Sequence, residues 1–221
     1  MGAELTEKHI FSALLDEHGR LYSEEIGIDL PANTPSPLFR WLCTCLLLSA
    51  RISSHIAMKA AKALADAGWT TPKRMAGSTW EQRVKVLNRS GYARYDESTA
   101  RMLGDTVRLL IDRYDADLRK LRDAAGRDPA QERRLLKEFK GIGDVGADIF
   151  FREVQIAWDE VYPFADKKAL SAAEKLGLPN TAEALCEAAG REDFPRLVSA
   201  LVRSSLAHDF DEIRRRAGAA E

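Results

Sequence analysis

A chain of 221 residues with 45% apolar content is long enough for one large domain or two small ones with a proper core, which excludes disorder over most of its length. No stretch of about eighteen apolar residues without charge occurs, and Glu4, Glu7 and Lys8 close behind Met1 lack the basic-then-apolar order of a signal peptide, so a cytoplasmic protein with no membrane partner is expected. A net charge of −1 excludes a protein that coats nucleic acid non-specifically, yet residues 39–95 hold ten basic residues (Arg40, Arg51, Lys59, Lys62, Lys73, Arg74, Arg83, Lys85, Arg89, Arg94) against two acidic ones (Asp66, Glu81). Such a segment suits phosphate contacts, or it is an ordinary solvated face.

Taken in chain order, the elements predict an all-α fold. The residues before Pro31-Ala32-Asn33-Thr34-Pro35 form a separate helical region joined by a turn-rich link. Ser36-Pro37 is a helix start, and Leu38 to Ile52 is apolar on almost every side, so this helix should be central. Amphipathic helices follow near 55–67, 79–88 and 96–114, broken at Gly68 to Pro72 and at Ser90-Gly91. Asp128-Pro129 opens a helix to about Glu138, Gly141-Ile142-Gly143 turns the chain, and a further helix runs from Asp144 to about Gln155. Asp166 caps a helix ending at Gly177, Asn180 with Glu183 starts another, and the Ala-Gly-rich end frays after Arg216. Alternating strand patterns and repeats of 20–50 residues are both missing.

Three cysteines, Cys43, Cys45 and Cys186, make neither a disulfide framework nor a ligand quartet for an iron–sulfur cluster, and read as buried thiols. The four histidines have no metal spacing. The residues that carry chemistry lie in Phe139-Lys140-Gly141-Ile142-Gly143-Asp144-Val145-Gly146-Ala147, followed about twenty positions later by Phe164-Ala165-Asp166-Lys167-Lys168. Two glycines around a small apolar residue allow a sharp turn and aim the free amides of the next helix at one phosphate, with the favourable end of the peptide dipoles. An ordinary helical corner that uses glycine for steric relief has the same pattern. Asp166 adds a carboxylate, which by itself reads equally as a helix cap.

The register from Ser36 to Pro179, about 140 residues, resembles the helix-hairpin-helix DNA glycosylase superfamily of the endonuclease III type. Leu135 to Asp148 is similar to its hairpin, with Lys140 where proline is usual. Phe164 to Pro179 is similar to its catalytic-aspartate helix, and Leu46-Leu47-Leu48-Ser49-Ala50-Arg51 to its Leu-Leu-Ser-Ala-Gln segment. The resemblance implies two helical domains with double-stranded DNA bound across the cleft between them: one of residues 39–149, ending in the hairpin, the other of residues 1–38 plus 150–221. It implies excision of a damaged or mispaired base from a nucleotide rotated out of the duplex, by a monomer.

The same resemblance gives the site. Asp166 is the catalytic carboxylate, stabilising positive charge on the sugar as the base departs. Lys140, Gly141, Ile142, Gly143, Val145 and Gly146 contact DNA through the hairpin. Arg51 fills the gap left by the extruded base, and Tyr92 and Arg94 belong to a wedge loop opposite. A sodium or potassium ion is implied at the backbone carbonyls of Lys137, Phe139 and Ile142, with no other cofactor. Val145 stands where lyase-competent members carry a nucleophilic lysine, and an aliphatic side chain forms no Schiff base, so hydrolysis without strand cleavage is expected. The relatives' cluster cysteines are missing too. The alternative is a catalytically inactive binder of damaged or distorted DNA. Trp41, Phe150, Phe151, Trp158 and Tyr22 are candidates for a base pocket or, equally, core.

Overall fold

The computed structural model describes residues 6–219, so the expectation drawn from Glu4 and the last two residues of the tail lie outside the described part. Among the described residues the chain is all-α, with no strand and no helix long and apolar enough to cross a membrane. It divides into two compact units, one comprising residues up to Glu25 and from Val161 onward, the other Ile26–Glu160.

The first unit begins with α1 (Glu7–His18) and α2 (Tyr22–Glu25). The second holds α3 (Pro35–Leu48), α4 (Ser54–Asp66), α5 (Pro72–Ala76), α6 (Trp80–Arg89), α7 (Asp96–Tyr114), α8 (Leu118–Ala124), α9 (Pro129–Leu136) and α10 (Asp144–Val154), and a 3-10 turn at Asp159–Val161 leads out of it. The chain then completes the first unit with α11 (Lys167–Lys175), α12 (Ala182–Ala189), α13 (Phe194–Ala207) and α14 (Phe210–Ala219).

Helix α3 is the axis of the Ile26–Glu160 unit because its apolar residues leave almost no polar face: Leu38, Phe39 and Trp41 to Leu47 are all buried. Pro35 and Pro37 sit in its first turn, where their missing amides cost nothing. It packs against α4, α7, α8 and α10, and the Trp41 indole donates to the Phe150 carbonyl at 3.1 Å. The helix stops at Leu48 rather than Ile52. Ser49 Oγ donates back to the Cys45 carbonyl at 2.6 Å, and Ser53 is already the cap of α4, accepting from the Ile56 amide. The four residues between must therefore turn the chain.

The expected break points at 39 and 149 fall inside this unit. Arg40 donates to the carbonyls of Ile26 and Gly27, both at 2.8 Å, and the Trp158 indole donates to Asn33 Oδ1 at 3.2 Å. These bonds hold the link before α3 and the segment after α10 to the same core. In the other unit α13 is central, burying Phe194, Leu197, Val198 and Leu201 against α1, α11, α12 and α14. His18 meets Asp209 at 2.7 Å, and Arg203 pairs with Glu25 at 2.9 Å beneath the Tyr22 ring. Trp41, Phe150, Phe151, Trp158 and Tyr22 are all core residues.

Candidate functional site

Helix α9 ends at Leu136, and Lys137 to Gly143 return the chain into α10. The bend depends on Gly141, whose φ of +94° is open to glycine and strained for other residues. A Cβ there would lie 2.7 Å from Met102 Sδ and 3.5 Å from Leu46 Cγ, so the turn is seated against α3 and α7. Gly146 is a second close approach, a Cβ meeting Ser49 Oγ at 2.8 Å. Ile142 is buried and anchors the turn by its side chain, while its amide donates to the Phe139 carbonyl at 2.9 Å. Gly143 caps α10 without any side chain to accept a bond. The first helical bond runs from Ala147 N to Gly143 O, which leaves the amides of Asp144, Val145 and Gly146 with no partner inside the helix. Val145 beside them is 60% exposed.

The charges around the bend are mostly paired. Asp144, the first residue of α10, meets Lys137 at 2.7 Å and Arg133 at 3.5 Å, and Arg133 also holds Asp148 at 2.7 Å. The Lys137 hydrogen bond, with Arg133 nearby, keeps the Asp144 carboxyl below its ordinary value. Lys140 is exposed and 3.7 Å from Asp105. A carboxylate therefore stands at the helix end that the sequence pattern offers to a phosphate.

Next to the bend lies a groove of about 320 Å³ lined by Leu46, Ser49, Arg51, Tyr95, Met102 and Gly141, among others. Arg51 is thus brought beside the glycine bend, exposed on the groove's edge. Exposed Arg94 stacks over the half-buried Tyr95 ring, its Cζ 5.3 Å from the centroid. Tyr92 requires a correction: it is 0% exposed, and its hydroxyl donates to the Leu47 carbonyl at 2.9 Å. It is a core residue that secures the loop, and burial pushes its phenol up to about 12. Tyr95 is the aromatic residue that faces the groove. The signal for it was the helical spacing of Tyr95, Thr99 and Met102 along the start of α7.

The basic segment is also redistributed. Arg83 is buried and donates to the carbonyls of Ala100 (2.9 Å) and Ser78 (2.8 Å), and Arg40 is engaged as described. Lys62 pairs with Asp66 at 3.2 Å. Arg51, Lys59, Lys85, Arg89 and Arg94 are exposed, and the helices α4 and α6 that carry three of them pack together.

Asp166 belongs to the other unit. It is the N-cap of α11, 6% exposed, with Oδ1 accepting from the amides of Lys168 at 2.8 Å and Ala169 at 3.3 Å. The cap function is therefore real, and it fixes the carboxylate's orientation. Cys43 and Cys45 are buried in α3, where desolvation pushes both thiols far up. Among the described residues no group of three or more His, Cys, Asp or Glu is placed to hold a metal ion. Comparison of the chain with protein-family models, curated proteins and solved structures finds no match.

Proposed function

We propose that the protein is a DNA repair glycosylase that hydrolyses the N-glycosidic bond of a flipped-out damaged or mispaired base without cutting the strand. The observation that carries the proposal is the α9–α10 bend, where Gly141 is wedged against Leu46 and Met102 and the first amides of α10 have no side-chain cap. A backbone phosphate would be bound there, through Gly141, Gly143, Val145 and Gly146, with Lys140 alongside. Arg51 and Arg94 would add contacts from the adjoining groove. A sodium or potassium ion would be held by the carbonyls of Lys137, Phe139 and Ile142; the Phe139 oxygen keeps a second lone pair beyond its bond from Ile142.

In the reaction the carbon–nitrogen bond breaks, the base leaves with the electron pair and takes up a proton, and water adds to the sugar carbon while losing one. Positive charge grows on the sugar in between. The Asp166 carboxylate, held by two amides, would stabilise that charge without reorganising. With Val145 in the lysine position no covalent sugar adduct forms. The second reading is a catalytically inactive binder of damaged or distorted DNA, favoured by the burial of Asp166 and the engagement of its Oδ1.

Single-lesion duplexes, resolved into intact, abasic and nicked products, decide between the two. Abasic product that disappears with Asp166→Asn supports the enzyme. Tight binding to abasic-analogue DNA with no turnover on any lesion supports the binder, and a borohydride-trapped adduct contradicts hydrolysis alone.

A further inference from the structure

The Ile26–Glu160 unit contains a second group of ionisable residues, apart from the bend and its groove. Glu132 of α9 is 0% exposed, and neither of its carboxyl oxygens receives a hydrogen bond from any donor. The group within hydrogen-bonding reach is another carboxyl, that of Glu160 in the 3-10 turn. Arg122 of α8 forks onto Glu160, Nε to Oε1 and Nη2 to Oε2 both at 2.5 Å, and lies over the Trp158 ring with Cζ 5.4 Å from its centroid. Both arms of that fork face Glu160. Besides Glu160 and Arg122, the charged group acting on Glu132 is Asp128, the cap of its own helix, which adds more negative charge.

Two carboxylates this close and this dry do not both ionise. With a proton on Glu132 the repulsive pair becomes a charge-assisted O–H···O⁻ bond, and the missing donor is supplied. We infer that a proton held between Glu132 and Glu160 pins α9, the helix that runs into the glycine bend, to the Asp159–Val161 turn, and that loss of this proton releases the pin.

Desolvation, then the Glu160 hydrogen bond and charge, push Glu132 from its ordinary 4.5 up to about 8. Against an opposing desolvation, the Arg122 hydrogen bond holds Glu160 down to about 2. The native state therefore binds one proton more than the unfolded chain between those values for Glu132. The stability that this proton confers is complete below 4.5, declines as pH rises, and is gone above about 8.

The pin does not depend on what the bend binds, and its test uses the full chain. In carbon-detected NMR of glutamate side chains, one carboxyl of the wild type titrates near 8 and is missing in Glu132→Gln. Glu160→Gln shifts that titration downward by about one unit or more. In thermal unfolding the wild type loses several degrees relative to Glu132→Gln between about pH 6 and about pH 9, because the amide donates to Glu160 at every pH. A wild type in which every glutamate titrates in the ordinary acid range overturns the inference, and this measurement needs no variant. Parallel pH profiles of wild type and Glu132→Gln overturn it as well.

Discussion

Helices α10 and α11 both start with an aspartate, displaced by one position, and the displacement reverses its effect. Asp166 is the N-cap of α11, buried, with its Oδ1 on the amides of Lys168 and Ala169. Asp144 is the first helical residue of α10, exposed, and paired sideways with Lys137 and Arg133. Its helix is capped by a glycine and keeps its first amides open. A carboxylate at the cap satisfies the helix end, whereas one a residue later leaves the amides available and only adds charge near them. One terminus thus holds an oriented acid, and the other is open to a ligand.

The sharpest way to break this comparison is Asp166→Asn. Asparagine caps as well as aspartate, so unfolding should change by less than about 0.5 kcal/mol. If the carboxylate stabilises a developing charge, single-turnover excision falls by about 100-fold or more. Asp166→Ala should in addition lose about 1 kcal/mol of stability with the cap. Excision that survives Asp166→Asn leaves Asp166 as a cap and nothing more.

The bend offers the next largest effect. Gly141→Ala places a side chain at φ +94° and 2.7 Å from Met102 Sδ, and should destabilise by about 2–3 kcal/mol in urea unfolding. Gly143 has φ −99° and open space around its Cβ position, so Gly143→Ala should change stability by well under about 1 kcal/mol. Equal losses would show that the two glycines share one steric role.

Much of this was legible in the sequence, since caps and periodicity are local. The helix expected at 96–114 is Asp96–Tyr114, and the one expected at 79–88 is Trp80–Arg89, with a Thr79–Gln82 capping box. Asp166 starts its helix as anticipated, and Gly177 ends it at φ +74°. The cap of α12 lies one residue beyond Asn180, at Thr181, because either side chain suits the position. What remained hidden depends on tertiary neighbours. Nothing local distinguishes Arg83, bonded to two carbonyls in the interior, from exposed Arg89. The Glu132–Glu160 pair is brought together only by folding. Helices α8 and α13 did carry local start signals, the Asp117 cap and a proline in the first turn after Asp193, that the sequence reading left unused.

Tyr92 and Tyr95 show the same limit, since two tyrosines of one loop divide into an anchor and a groove wall. Tyr92→Phe removes a buried hydroxyl from the Leu47 carbonyl and should cost about 1 kcal/mol of stability, with DNA affinity unchanged. Arg51→Ala and Arg94→Ala should do the reverse, weakening binding and leaving unfolding unaltered. A loss of affinity in Tyr92→Phe equal to that of the arginine variants would return Tyr92 to the wedge.

The smallest effect bears most directly on the open terminus of α10. The Asp144 carboxylate stands where a phosphate would approach, and it also engages Lys137 and Arg133, two cations that would otherwise face the phosphate. Asp144→Asn should therefore tighten DNA binding about two- to fivefold, and steepen its dependence on salt by roughly one counterion as Lys137 is freed. The Lys137 bond keeps the acid below its ordinary value, so its influence is present throughout neutral pH and fades only as pH falls through that depressed range. Acidification is a poor probe for that reason, and substitution is the better one. Anisotropy titrations with an abasic-analogue duplex, compared with Lys137→Ala, give the reading. If Asp144→Asn weakens binding as Lys137→Ala does, the aspartate organises the bend rather than competing with its ligand.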